Sequence, residues 1–189
     1  MLADPADADR LRRDARRWGI PVDVLPPETW WQQVVADGRP LLVHDALCPL
    51  VTAGFITTVL ARGRERPDQG AAGVRTVTDT LKAVVDGRIT ETIDRDALVT
   101  VTSPVLVPAT ALDAGDVSAP MPVDDGAALV AWLRRRVEVE LVRAPSLGRR
   151  IEDVRAVRLL ESLDEVGHRV RAGAGHPTPV GASVAEDRP

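Results

Sequence analysis

The stretch LLVHDALCPL, Leu41 to Leu50, places His44, Asp45 and Cys48 close together at the end of an apolar run. A carboxylate at the end of a buried strand can hold a hard divalent cation, which in turn steadies phosphates. It can equally cap the next helix by accepting backbone N–H bonds. Spacing alone leaves both readings of Asp45 open. Cys48 invites a reading as a nucleophile, which needs a base and a third group to orient that base. Its neighbours are apolar apart from His44, and no such arrangement is visible, so Cys48 reads as a free structural thiol. His168 and His176 show no metal-ligand spacing.

The surrounding elements must position Asp45. RPLLVHDA is an apolar run too short for a helix, which predicts a strand buried on both faces of a parallel sheet. LVTAGFITTVLARGRER follows as a helix with Val51, Phe55, Val59 and Leu60 facing inward. Upstream, Asp7 to Gly19 reads as a helix capped by Asp7 or Asp9, with Leu11, Ala15 and Trp18 on one stripe. IPVDVLPP reads as a short strand. PETWWQQVVADG is a second helix, with Trp31, Val34 and Val35 on one side, and Trp30 and Trp31 read as core rather than as a stacking platform for bases.

Downstream, the stretch from Gly70 to Pro104 is rich in β-branched residues that alternate about Asp86-Gly87. That pattern predicts a strand followed by an extended hairpin arm over about 76–101. PVDDGAALVAWLRRR is a helix capped at Asp124 or Asp125. VEVELVR is a strand with Val137, Val139 and Leu141 on one face. Ile151, Val154, Val157, Leu160 and Leu163 recur at helical spacing in a final amphipathic helix. Residues 168–189 are rich in Gly, Pro, Ala and polar groups and read as a disordered tail, leaving 1–167 as the domain. Strands alternating with helices make the class α/β, with ligands expected at the carboxyl ends of the strands.

Composition bounds what this domain does. The 189 residues suit one domain, and the net charge of −4 gives no global attraction to nucleic acid or an anionic membrane. No apolar stretch is long enough for a transmembrane helix. The acid-containing start MLADPADADRLRR does not resemble a secretion signal, and a single cysteine allows no internal disulfide, so a cytoplasmic location is expected. Of 24 basic residues only Lys82 is a lysine, which matters wherever a compact point charge is needed.

The motifs HDA with Pro49, then VTDTLK, TIDRDAL, TSP and IEDV, occur in a specific order. In that order and spacing the chain resembles the 2-C-methyl-D-erythritol 4-phosphate cytidylyltransferases of the non-mevalonate isoprenoid pathway. That family carries HDAARP, DTxK, TVDRxxLW, QTPQ, TD[DE]A and NIKVTxPEDL. The likeness spans roughly residues 8–166 and runs without a gap from Val123 to Asp153. It implies a Rossmann-like nucleotidyltransferase three-layer sandwich, incomplete at the N-terminus, and a homodimer whose hairpin arms cover each other's sites. It also implies Mg2+, CTP and a sugar-alcohol phosphate, with CMP transferred and pyrophosphate released. By the resemblance, Asp45 falls on the magnesium aspartate and Ala46 beside the sugar phosphate. Thr80 and Arg95 fall on arm residues that reach the partner's substrate, and Ser103 replaces the threonine of QTPQ. The plainer alternatives are strand hydroxyls for Thr80 and Ser103, and a surface ion pair with Asp94 or Asp96 for Arg95.

Several family groups are replaced. The family opens on a Gly-rich loop whose N–H groups, arginine and lysine cradle the triphosphate. This chain carries fewer than half the family's residues before its HD pair, and GAAG, Gly70 to Gly73, lies in the wrong place to stand in. Leu147 stands where the family has the lysine of NIKVT, with Arg149 and Arg150 near but out of register. Cys48 replaces the arginine of HDAARP, Val105 ends the QTPQ element, and Val123 replaces the threonine of TD[DE]A. Losing one preorganised charge-stabilising donor costs about 3 kcal/mol of barrier, so weak or lost transfer is expected and no catalytic residue is assigned. Three classes of function follow. The chain is an impaired cytidylyltransferase completed by an upstream segment, a non-catalytic paralogue that binds or regulates as a homodimer or heterodimer, or a purely structural dimer. Methylerythritol phosphate and ribitol phosphate are not distinguished as substrates.

Overall fold

A computed structural model describes residues 5–17, 19, 25–26, 28–112, 120–151 and 153–173. The chain divides into two compact units, Met1–Arg150 and Ile151–Pro189. In the first, helices α1 (Pro5–Arg17) and α2 (Trp30–Asp37) precede strand β1 (Leu41–Val43), helix α3 (Ala53–Glu65) and strand β2 (Gly70–Thr76). Strands β3 (Leu81–Val85) and β4 (Arg88–Ile93), β5 (Val99–Val107), helix α4 (Gly126–Arg134) and strand β6 (Val139–Arg143) complete it. The second unit holds helix α5, Val154–Gly173.

The main sheet has the order β1-β5-β2-β6, and β3 with β4 forms a separate two-stranded ribbon. β5 runs antiparallel to both β1 and β2, while β2 and β6 are parallel. The sheet is therefore mixed rather than parallel: β1, β2 and β6 point one way and β5 is inserted against them. β1 was expected to be buried on both faces, yet it lies at the end of the strand order and is only half-buried. Both faces of β1 are packed, Leu41 and Val43 against one core layer and Leu42 against the other, but continuous apolarity does not tell an interior strand from one at the end of the sheet.

Side-chain alternation along β5 and β2 sorts the core into two layers. Val105, Val107 and Ala72 pack with Trp30, Trp31, Val35, Leu129 and Leu133, on the face covered by α2 and α4. Leu106 and Ala71 point the other way, into Phe55, Val59 and Val51 on the face covered by α3. Helix, sheet and helix make the expected three layers, and Phe55 and Val59 are buried on α3 as their spacing predicts, while Val51 is buried ahead of the helix rather than on it. Trp31 meets Trp132 edge-on at 6.1 Å and 83°, an apolar role that leaves no platform for bases. Burying a side chain the size of Leu133 contributes roughly 1.5–3 kcal/mol.

Local signals place several boundaries. Thr52 caps α3 by accepting from the Phe55 N–H, and Asp125 caps α4 by accepting from Ala128. Asp86 and Gly87 both have positive φ, 51° and 74°, which suits a two-residue hairpin turn between β3 and β4. Gly73 is required by close approach: a Cβ there would lie 2.9 Å from the Ser103 carbonyl oxygen and 3.1 Å from Phe55. GAAG is thus a stretch of interior strand, not a phosphate loop.

Other expectations shift. α1 begins at Pro5, so Asp7 lies in its first turn rather than ahead of it. Ala15 is buried, while Trp18 and most of IPVDVLPP lie outside the described residues. Val139 packs on the α4 layer, but Leu141, on the same side of β6, is 38% exposed because β6 ends the strand order. In α5, Leu160 is buried whereas Val154 is 69% and Leu163 40% exposed. α5 runs on to Gly173, into the stretch read as a tail, and 174–189 lie outside the described residues. Among the described residues no helix is long and apolar enough to cross a membrane.

Candidate functional site

β1, β2 and β6 share a direction, so their carboxyl ends meet at one end of the sheet. Asp45 follows β1 there, and the loop from Ala144 to Arg150 follows β6. The β1–β5 register pairs Val43 with Val105. Continued by two residues it sets Asp45 opposite Ser103, whose buried hydroxyl oxygen accepts the Asp45 N–H at 2.6 Å. Ser103 thus keeps a hydroxyl at the site, used to hold the backbone of the acid.

Asp45 is not the cap of α3, which is Thr52. Its Oδ1 accepts from the Leu47 N–H at 2.8 Å and closes its own turn. Its Oδ2 accepts from the Arg150 Nε at 2.7 Å, across 105 residues of sequence. Arg150 is brought in by its loop. The buried Thr102 hydroxyl donates to the Gly148 carbonyl, tying the loop to β5. That commits the hydroxyl proton, so at the 3.6 Å contact between Cys48 and Thr102 the thiol is the donor. Cys48 is thus a buried thiol held against a strand hydroxyl.

Around this pair lies a cavity of ≈ 50 Å3, lined by Asp45, Arg150 and Ser103 and otherwise mostly by apolar groups that include Cys48, Val105 and Val123. Those last three are among the positions where the chain departs from the family motifs. Their replacement removes polar groups from one wall of one cavity. Leu147, at the lysine register, is not in this lining, whereas Arg150 is. Sequence reasoning placed Arg150 out of register. The tie from Thr102 to Gly148 could not be read from spacing, and it is what aims Arg150 at Asp45.

The other assigned residues lie apart from this lining. Ala46 is exposed in the turn after Asp45. Thr80 is exposed just before β3. Arg95 donates to the Thr78 carbonyl at 2.6 Å, while Asp94 accepts from the Asp96 N–H instead of pairing with Arg95. Asp45 and Ser103 are therefore brought together, and Thr80 and Arg95 belong to the arm.

The donor set fits a divalent cation poorly. It offers one carboxylate with both oxygens engaged and a guanidinium at hydrogen-bond distance. Among the described residues no group of three or more His, Cys, Asp or Glu side chains gathers to hold a metal ion. Magnesium is bound through one or two carboxylates together with substrate phosphates and water, and a neighbouring fixed positive charge opposes it.

The family model for 2-C-methyl-D-erythritol 4-phosphate cytidylyltransferase (IspD) matches residues 32–144, more than half of the chain. A bifunctional enzyme IspD/IspF from Oleidesulfovibrio alaskensis is 39% identical over 75 residues, covering 38% of this chain and 18% of that protein. The chain thus spans less than a fifth of that relative's length. Among solved structures, the 4-diphosphocytidyl-2C-methyl-D-erythritol synthase of Anaerococcus prevotii superposes with a TM-score of 0.64 at 13% identity, over 87% of this chain and 77% of that one. The 2-C-methyl-D-erythritol 4-phosphate cytidylyltransferase of Thermus thermophilus gives 0.53 at 27% identity, over 67% and 62%. The order of motifs, the layered sheet with Asp45 at its ligand end, and these matches lead to one conclusion: the chain belongs to the 2-C-methyl-D-erythritol 4-phosphate cytidylyltransferase family.

Proposed function

We propose that this chain keeps the family's scaffold in the cytoplasm but transfers CMP from CTP to a sugar-alcohol phosphate weakly or not at all. The carrying observation is the Asp45 cavity. Its ≈ 50 Å3 is far below the roughly 300–1,000 Å3 of small-molecule sites, and its acid is tied to Arg150. Transfer needs charge stabilisation at the phosphorus under attack and at the departing pyrophosphate. Here Arg150 spends charge on Asp45, and Cys48, Val105 and Val123 offer no cation. The test is pyrophosphate release from CTP and methylerythritol phosphate in magnesium buffer, beside CTP titration calorimetry. No saturable release and no heat of CTP binding are expected. Saturable release that disappears in Asp45→Ala would overturn the proposal.

A second reading follows from the arm: a non-catalytic paralogue that acts through self-association. Val84, Val85 and Ile89 on β3 and β4 are 61%, 58% and 69% exposed. An isolated two-stranded ribbon is marginal in water, and a second copy of the chain would cover it. Light scattering after size exclusion reads this directly. A dimer that Ile89→Glu converts to monomer supports the reading, and a wild-type monomer at high concentration removes it.

A further inference from the structure

We infer that in this chain the Arg150 guanidinium, and not a divalent cation, neutralises Asp45. This rests on reading the Asp45 cavity as the inherited site, and it concerns the ion rather than the turnover.

The argument is geometric. Asp45 Oδ2 receives Arg150 Nε at 2.7 Å, and Oδ1 receives the Leu47 N–H at 2.8 Å. The pair is only partly exposed, with the Asp45 side chain at 33% and that of Arg150 at 46%. Charge-assisted hydrogen bonds of this length are among the stronger ones. The loop that carries Arg150 is tied down two residues ahead of it, at Gly148. Thr102 donates to the Gly148 carbonyl, and the Gly148 N–H returns to the Pro145 carbonyl at 2.9 Å. The Asp45 backbone is pinned in turn by Ser103. A divalent ion at Asp45 would have to displace the guanidinium or sit beside it, and like charges at such range repel. Arginine stays charged at any relevant pH.

The test reads metal alone. Mn2+ is titrated into the full chain and followed by electron paramagnetic resonance, for wild type, Asp45→Asn, Arg150→Gln and the double variant. Wild type and Asp45→Asn should give superimposable curves into the millimolar range. Arg150→Gln should bind Mn2+ at least about tenfold more tightly, since a unit charge has left the ion's side. The double variant should lose that gain. Asp45-dependent Mn2+ binding by wild type would overturn the inference, as would an Arg150→Gln chain that folds and binds no better. Circular dichroism checks the fold. Should Arg150→Gln unfold, Arg150→Met takes its place, and the wild-type and Asp45→Asn curves still decide the matter. A chain that releases pyrophosphate yet shows no Asp45-dependent Mn2+ binding would sink the proposed loss of activity and leave this inference standing.

Discussion

The main sheet and the β3–β4 arm are built from similar residues and end in opposite situations. In the sheet, Ala72 and Val107 are fully buried and Val105 nearly so. In the arm, every residue of β4 is exposed, including Ile89. Strand β5 of the sheet and the arm strands are both rich in β-branched side chains, so local propensity for extended backbone does not separate them. The sheet strands have helices on both faces, whereas the arm pairs only with itself. Extended propensity therefore shapes both regions, but only burial within the chain stabilises one of them.

Perturbing each region in turn tests that contrast. The largest effect should come from Leu133→Ala, which empties a fully buried site under the sheet. A loss of about 2–5 kcal/mol in urea unfolding is expected, and a loss under 1 kcal/mol would mean that the α4 layer is loosely packed. Gly73→Ala comes next. Its Cβ would meet a backbone oxygen at 2.9 Å, which cannot rotate away. Overpacking of this kind costs about 1–3 kcal/mol, and an unchanged denaturation midpoint would contradict the strand spacing at Ser103. Asp125→Ala removes the α4 cap and should cost about 1 kcal/mol, with Asp125→Asn retaining most of the stability.

In the arm, Ile89→Ala should move the unfolding of the isolated chain by no more than about 0.5 kcal/mol. A larger loss measured at high dilution would show that the arm packs within its own chain and would end the contrast. The smallest effect is expected at Arg39. Its guanidinium holds the Asp37 carboxyl below the usual range through a hydrogen bond first and charge second. A depressed carboxyl pKa stabilises above the unfolded value and loses that stabilisation as pH falls through the folded one. Both groups are exposed, so screening erodes the effect. The acid limb of the stability curve for Arg39→Ala should therefore overlay that of wild type, and a shifted limb would show that the pair counts for more than its exposure suggests.

Much of the architecture was legible before any coordinates. Phe55 and Val59 announce the inner face of α3 by their spacing, and Asp86-Gly87 announces the hairpin because few other pairs accept two positive φ values. Cys48 reads as a free structural thiol from its apolar neighbours, and it lies buried against Thr102. The motif order from His44 to Asp153 points to the family without a fold in view. Leu141 shows the opposite case: its alternation is correct, but alternation does not reveal that β6 lacks a second neighbour.

What the sequence determined by itself was therefore local or ordinal: helix faces, caps, the turn, and the succession of motifs. Each depends on residues within a few positions of one another or on their order along the chain. The tertiary structure alone decided which strand lies at the end of the order, that β5 runs against its neighbours, and that Arg150 meets Asp45 from 105 residues away. Such contacts arise when the sheet register and one hydroxyl-to-carbonyl bond bring distant loops to the same end of the sheet. No periodicity records that meeting, because its energy is spread over strand pairing and core burial rather than carried by the residues that meet.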